Sequence, residues 1–422
     1  MYVPAMIVTP QKLDDFIVSS DRHGGPNSPG CNEFWRDFTY IPDVEVDQQL
    51  NPYGDEYISA QLHLYSEISG RSFNISENEQ TGFDFAAHVS AVNPYNHPDP
   101  SGLAIHLQRL SRAFRFANLS RGDHLLDMGC GWGLSSELAA YLGLQVSAVD
   151  INPFFVDLVN KRATRSGYNI VASLSSFHEY LPNRPCNAIL FYESLHHALL
   201  PWGVIQHLTQ YLELGGRVVL AGEPINEYWW KYWGIRLDAL SVYCIRKFGW
   251  FESGWSLPFI TNVLNRAALR IKVYHDHDPE IGYALIGTKF EKAGSLVNDI
   301  IHRCSIEGWL LEEDYIVFLG SGWMDIVFSR DAAVARLKIK NFRPRNLGLT
   351  LRTQDETLFD GRLPVGEINL TVNRRSEIMR LFFSGETWVP DDEIHNGDTR
   401  RIGLHIEGID YLNNHEAKNA DT

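Results

Sequence analysis

The run His124-Leu125-Leu126-Asp127-Met128-Gly129-Cys130-Gly131-Trp132-Gly133 constrains the fold more than any other stretch. Apolar residues lead into an acid, three glycines follow at alternate positions, and Leu134 to Leu142 then carries helix-like patterning. Strand, glycine turn and helix in that order form the front half of a nucleotide-binding βαβ unit. Glycines suit a tight turn whose backbone must approach a ligand, because a Cβ would clash there. The N–H groups opening the next helix face the same spot and favour polar or anionic groups. A dinucleotide site is marked by G-x-G-x-x-G, whereas Gly129, Gly131 and Gly133 alternate strictly and an acid precedes them.

The α/β grammar continues downstream. Gln145 to Val149 reads as a short strand ending at Asp150, whose carboxylate can hold two ribose hydroxyls or cap the helix beginning near Pro153. That helix runs 153–166 and stops at Gly167; Asn169–Ser173 reads as a third strand. Asn187 to Tyr192 is a near-continuous apolar run, as in a strand buried on both faces of a parallel sheet. Glu193, Ser194, Leu195, His196 and His197 follow at its carboxyl end, the edge where open α/β sheets bind ligands. A helix over 202–213 leads to Gly215-Gly216, the strand Arg217–Leu220 and Gly222-Glu223-Pro224. A helix over 257–268 and strands at Ile271–Tyr274 and Tyr283–Phe290 complete seven strands, the last two joined without a helix.

Before this block, residues 1–52 read as irregular, with a soft stretch from Asp21 to Gly30. Helical spacing appears from Gly54 to Ile68, a proline-rich loop spans 91–100, and Ser101 reads as the cap of a helix to about Leu119. Between Glu223 and Pro258 lie Trp229, Trp230, Trp233, Trp250 and Trp255, five of the 11 tryptophans, with Tyr228, Tyr232 and Tyr243 among them. These rings form a subdomain core or an aromatic wall for a substrate, and different rings can do each. Past Glu291 the pattern changes to period two at Leu337–Lys340, Leu347–Leu351, Ile368–Val372 and Ile402–Ile406, which indicates an antiparallel sandwich or barrel to about Leu412. The tail Asn413–Thr422 is expected to fray. Trp309, Trp323 and Trp388 of this region either stack on sugar or fill its core.

A chain of 422 residues has room for two cores. A formal charge of −15 and a pI near 5.5 argue against nucleic acid or anionic membranes as partners. Five scattered cysteines without C-x-x-C give neither a disulfide framework nor a cysteine zinc site, and fit a reducing cytoplasm. With no leader-like start and no apolar run of ~18 residues, a cytoplasmic protein without an integral membrane segment is expected.

The pattern D-x-G-x-G-x-G, with Asp150, the strand ending at Glu193 and Gly215-Gly216, resembles class I S-adenosylmethionine-dependent methyltransferases over about residues 101–290. The resemblance implies a Rossmann-like, mostly parallel seven-stranded sheet. It implies that Asp127 and the turn Gly129, Cys130, Gly131 and Gly133 hold the methionine part of S-adenosyl-L-methionine, leaving S-adenosyl-L-homocysteine as product. Asp150 and Ile151 would meet the ribose, Ser176 and Phe177 the adenine, with Glu193 beside them. Many relatives carry an aspartate at the adenine where this chain has serines. Gly222–Ile225, Trp233–Asp238 and Arg246–Trp250 are similar to methyltransferases found with polysaccharide glycosyltransferases, and Phe383–Pro390 with Asp398–Gly403 to a β-domain tail of that kind.

The expected layout is an N-terminal extension, 1–100, covering the active site; a methyltransferase domain, 101–290, with an aromatic insertion at 224–256; and a C-terminal β-sandwich-like domain, 291–422. The expected activity is O-methylation of a sugar hydroxyl in a glycan or polysaccharide precursor, with His196, His197 or Glu223 as general base. Tyr228, Trp229, Trp230, Trp233, Arg236 and Trp250 would bind the substrate. Methylation of a non-sugar metabolite, or a non-catalytic glycan-binding or scaffold role, are the rival readings. No metal is expected, His275-Asp276-His277-Asp278 reading as a solvated turn. The C-terminal domain can also join copies into a homo-oligomer.

Overall fold

The computed structural model describes the chain apart from residues 1–5, 27, 75–76, 78, 80–83, 96–98, 227, 277, 290–305, 313–314, 329–331, 377, 397, 399, 414–415 and 417–422. The chain divides into two compact units. One comprises Met1–Tyr211, Val218–Phe259 and His275–Ala284; the other comprises Leu212–Arg217, Ile260–Tyr274 and Leu285–Thr422. No helix among the described residues is long and apolar enough to cross a membrane.

The N-terminal stretch is more ordered than its composition suggests. Strand β1 (Met6–Val8) pairs in parallel with β2 (Phe38–Tyr40), and helices span Leu13–Arg22 and Pro29–Phe34 between them. Leu13 and Phe16 are buried, and Phe16 packs against the rings of Phe34, Trp35 and Phe38. The reading of 1–52 as irregular is corrected: Ser28 caps a helix that Pro29 begins, so the proline marks a start and not a break. The helix Asp55–Ser69 then ties to the aromatic insertion. Tyr57 donates to the Trp233 carbonyl (2.5 Å), Tyr65 to that of Gly249 (2.5 Å), and Gln61 accepts from the Ile235 N–H (3.0 Å).

The central strands are β3 (His124–Met128), β4 (Gln145–Asp150), β5 (Ile170–Leu174), β6 (Cys186–Tyr192) and β7 (Leu212–Ala221). In the insertion, β8 (Trp233–Ile235) pairs antiparallel with β9 (Ser253–Trp255) around a helix at Ala239–Phe248. With β10 (Leu269–His275) and β11 (Tyr283–Lys289), the seven-stranded sheet runs β10-β11-β7-β6-β3-β4-β5. The pairings β3–β4, β3–β6 and β4–β5 are parallel, and every residue of β3 is buried. The strand order reverses at β3/β6, the switch point where such sheets bind ligands. Two local expectations change. Asp99, not Ser101, caps the helix Pro100–Ala117, because its carboxylate accepts from the Ser101 and Gly102 N–H groups. Gly215-Gly216 lies inside β7, which starts directly after a 3₁₀ turn at Thr209–Tyr211.

In the second unit, β12 (Ile306–Leu311), β13 (Ile316–Val327), β14 (Val334–Asn341), β15 (Leu347–Arg352), β16 (Thr357–Leu363), β17 (Gly366–Asn373), β18 (Ile378–Gly385) and β19 (His405–Leu412) form one antiparallel sheet. Its order is β16-β15-β18-β13-β19-β14-β17, with β12 on β13. The antiparallel region expected as a sandwich or barrel is this single hydrogen-bonded sheet. Long β13 serves both halves, pairing β19 through Ile316 and Val317 and β18 through Ser321–Val327, with Gly320 at positive φ (100°) between. Trp309 and Trp388 are buried core, and the Arg380 guanidinium covers the half-buried ring of Trp323 at 3.8 Å.

His405 of this unit is buried beside the rings of Tyr315 (4.7 Å) and Phe342 (4.4 Å), and neither ring nitrogen has a hydrogen-bond partner among the described residues. Burial, then the Arg400 guanidinium, push its pKa down to about 4. Unfolded histidine titrates near ~6.5, so between these values the unfolded chain holds the extra proton. Stability is therefore intact above the unfolded value and declines as pH falls toward the folded one, by up to about 3 kcal/mol. The urea midpoint of this unit is expected to fall steeply on acidification, and His405→Phe to flatten that fall. An equally steep fall in the variant would refute the assignment.

Candidate functional site

The glycine turn leaves β3 with Gly129 and Cys130 both donating to the Val149 carbonyl (2.8 and 3.0 Å), which fastens it to β4. A Cβ on Gly129 would lie 2.6 Å from the Ser194 Cβ, whereas one on Gly131 would meet nothing within 4 Å. Gly129 is thus needed for packing, and Gly131 faces open space. Gly133, at positive φ, opens the helix Leu134–Tyr141 against Val159. Asp127 is fully buried below the turn; Ser135 and Ser136 donate to its Oδ2 (2.7 and 2.5 Å), and its Oδ1 has no partner among the described residues. Burial pushes Asp127 up to about 6 against those two hydrogen bonds.

Asp150 accepts from the Gly131 N–H (2.9 Å) and the Asn152 N–H (2.8 Å), and burial likewise pushes it up to about 6. The cap of the helix Pro153–Ser166 is Asn152, so Asp150 is not spent on capping. An open Gly131 and Asp150 on the wall match the needs of a nucleoside, whereas Asp127, expected to hold its methionine part, is fully buried and is not among the residues lining the cavity.

A cavity of about 1520 Å³ begins at this turn. Asp150, Ile151, Ser176 and Phe177 line one end beside Gly129, Cys130 and Gly131. Glu193, His196, His197 and Glu223 line the same cavity, and His197 and Glu79 lie close enough to Asp150 to act on its charge. Glu193 sits at positive φ (50°) after β6, holds Arg109 in an ion pair and lies 3.5 Å from His106. Burial raises its pKa, against the pull of Arg109.

Glu223 does not reach out as a base. Its Oε1 accepts from the Ser194 and Leu195 N–H groups (2.9 Å each), and its Oε2 from the His196 N–H (3.2 Å) and contacts His196 Nδ1 (2.9 Å). It builds the 3₁₀ turn Leu195–His197 and aims the His196 ring. The other ring nitrogen of His196 lies 3.5 Å from Glu252 Oε2, and His197 Nδ1 lies 3.3 Å from Glu79 Oε2. Burial alone would lower His196, but Glu223 and Glu252 raise it to about 9. Burial opposes Glu252 too, yet His196, His197 and Arg236 bring it down to about 2. Both ring nitrogens of His196 thus face carboxylates, so it belongs to a cluster and does not stand as a lone base.

The insertion divides its rings between core and cavity. Trp229, Trp250 and Tyr228 line the cavity, as does Arg236, which pairs with Asp238 and Glu252. Trp230 and Trp233 do not. Both are buried, their indole N–H groups donating to the Ile235 and Pro52 carbonyls (2.8 Å each), which corrects their expected substrate contact. Glu79, Glu252, Tyr95, His106 and Arg109 also line the cavity, and the sequence reading missed all five. Only His106 and Arg109 carried a signal, as polar i, i+3 neighbours on an otherwise striped helix.

Residues 126–220 match the family model described as a methyltransferase domain. A ubiquinone biosynthesis O-methyltransferase of Xanthomonas euvesicatoria pv. vesicatoria is 31% identical over 102 residues, covering 24% of this chain and 43% of that protein. Its namesake in Xylella fastidiosa is 29% identical over 139 residues, 32% of this chain and 56% of that protein. The chain thus spans about half the length of the curated relatives it matches. Among solved structures, a SAM-dependent methyltransferase from Aquifex aeolicus overlaps 49% of this chain and 99% of its own, at 16% identity and a TM-score of 0.36. Haemonchus contortus phosphoethanolamine N-methyltransferase 2, in complex with S-adenosyl-L-methionine, overlaps 49% and 57% at 14% identity and a TM-score of 0.38. The match to a methyltransferase domain thus runs from within β3 to within β7.

Proposed function

We propose that the protein is an S-adenosylmethionine-dependent O-methyltransferase acting on a sugar hydroxyl of a glycan or glycan precursor. The observation that carries this reading is one cavity joining the Gly131/Asp150 end to an imidazole–carboxylate cluster walled by Trp229 and Trp250. Bound S-adenosylmethionine supplies an electrophilic methyl group. Asp150 and the turn hold the nucleoside end and Asp127 lies beneath. The aromatic rings of Trp229 and Trp250 offer flat faces for sugar stacking. The cluster His196, His197 and Glu252, aimed by Glu223, polarises the acceptor hydroxyl and takes up its proton. Transfer itself is in-line, so holding the hydroxyl against the methyl accounts for most of the rate.

A second reading, methylation of a hydroxyl on a non-sugar metabolite, is favoured by the similarity to ubiquinone biosynthesis O-methyltransferases. Incubation with labelled cofactor and a panel of sugar nucleotides, lipid-linked sugars, oligosaccharides and hydroxyl-bearing non-sugar metabolites separates the two. A mass gain of one methylene on a sugar is expected. Gain on the non-sugar metabolites alone would overturn the sugar reading, and absence of cofactor binding would favour the scaffold role.

A further inference from the structure

We propose that His196, His197 and Glu252 form a divalent-metal centre at the acceptor end of the cavity, of a type suited to zinc, manganese, iron(II) or cobalt(II). One ligand atom from each of the three lies within 4.8 Å of the others. Neighbouring side chains on a 3₁₀ turn diverge by roughly 120°, yet the His196 and His197 rings stand 4.3 Å apart at 34°. The His196 nitrogen not facing Glu223 is 3.5 Å from Glu252 Oε2, a separation that one ion can bridge.

The surroundings fit a metal better than a bare polar cluster. Ligating histidines usually give their second nitrogen to a carboxylate, which fixes the ring and raises its basicity. Here Glu223 takes His196 Nδ1 at 2.9 Å, while Glu79 lies 3.3 Å from His197 Nδ1 without hydrogen-bond geometry. Glu79, Glu223 and Glu252 together outnumber the cations beside them. Among the described residues Arg236 is the one guanidinium paired with any of the three, and it is shared with Asp238. Two imidazoles and a carboxylate select borderline metals over magnesium, which prefers oxygen ligands and several waters. Three protein ligands leave positions open, and all three residues line the cavity, so water or a hydroxyl oxygen can take them.

That a sugar hydroxyl is the oxygen bound there rests on the function proposed above; the metal site itself does not. The test uses the full chain, stripped with chelator and titrated with cobalt(II), with no acceptor present. One equivalent is expected, with the intense visible bands of nitrogen-ligated cobalt of low coordination number. Glu252→Gln and His196→Asn should each weaken binding at least tenfold while S-adenosylmethionine affinity is kept, which also reports a folded variant. His275→Asn, in the same cavity but outside the cluster, should bind cobalt like the wild type. No stoichiometric binding, or equal binding by Glu252→Gln and His196→Asn, overturns the proposal. If those variants fail to fold, the wild-type spectrum decides: the pale bands of hydrated cobalt would also overturn it. Metal binding without any methyl transfer would instead count against the proposed function alone.

Discussion

Glu223→Ala is expected to lower kcat about 100-fold, by misplacing the His196 turn, and to destabilise the fold by about 3–5 kcal/mol. Three backbone N–H groups, of Ser194, Leu195 and His196, end on this one carboxylate, and its side chain is buried. Each buried donor left without an acceptor costs roughly 1–3 kcal/mol, and the adjoining cavity lets water relieve part of the sum. Glu223→Gln separates holding the turn from aiming the ring. Its carbonyl can still serve Ser194 and Leu195, so most of the stability should return. Its amide, however, puts donors where His196 presents its own N–H groups, so kcat should stay at least tenfold down with cofactor affinity unchanged. A purely structural Glu223 would let stability and kcat recover together, and that result would remove it as a positioning residue.

What could be read in advance follows the range of the interactions involved. The turn from Asp127 to Gly133 and the strand end at Asp150 are local patterns, because backbone clash and helix opening act within a few residues. The strand Cys186–Tyr192 was legible because burial on both faces leaves a continuous apolar run. The cluster is different in kind. Glu79 lies far ahead of the sheet in sequence and Glu252 next to β9, and they reach His197 and His196 only through tertiary folding. A carboxylate in such a segment looks like any solvated acid. The tryptophans show the same limit from the apolar side: Trp229 and Trp230 are adjacent, yet one lines the cavity and the other is core. The strands β8 and β9 are three residues each, too short for a period to tell the two apart.

Gly131→Leu is expected to abolish measurable S-adenosylmethionine binding, a loss of at least 100-fold, while the fold loses only about 1–2 kcal/mol for a side chain held at positive φ. The reason lies in what each glycine of the turn faces. At Gly129 an added Cβ would sit 2.6 Å from the Ser194 Cβ and 3.1 Å from the Phe177 ring, so the wall of the cavity must move. Substitution there damages stability and binding together and distinguishes nothing. At Gly131 the same Cβ meets nothing within 4 Å, while the residue's own N–H already holds Asp150. A side chain at this position starts into open space on the cavity side, its Cβ touching no protein atom. Calorimetric titration with cofactor, paired with thermal unfolding, reads both quantities on one sample. Near-normal unfolding with no binding supports an empty volume kept for the ligand. Near-normal binding would mean that S-adenosylmethionine does not lie against Gly131, and the assignment of this end of the cavity would fall with it.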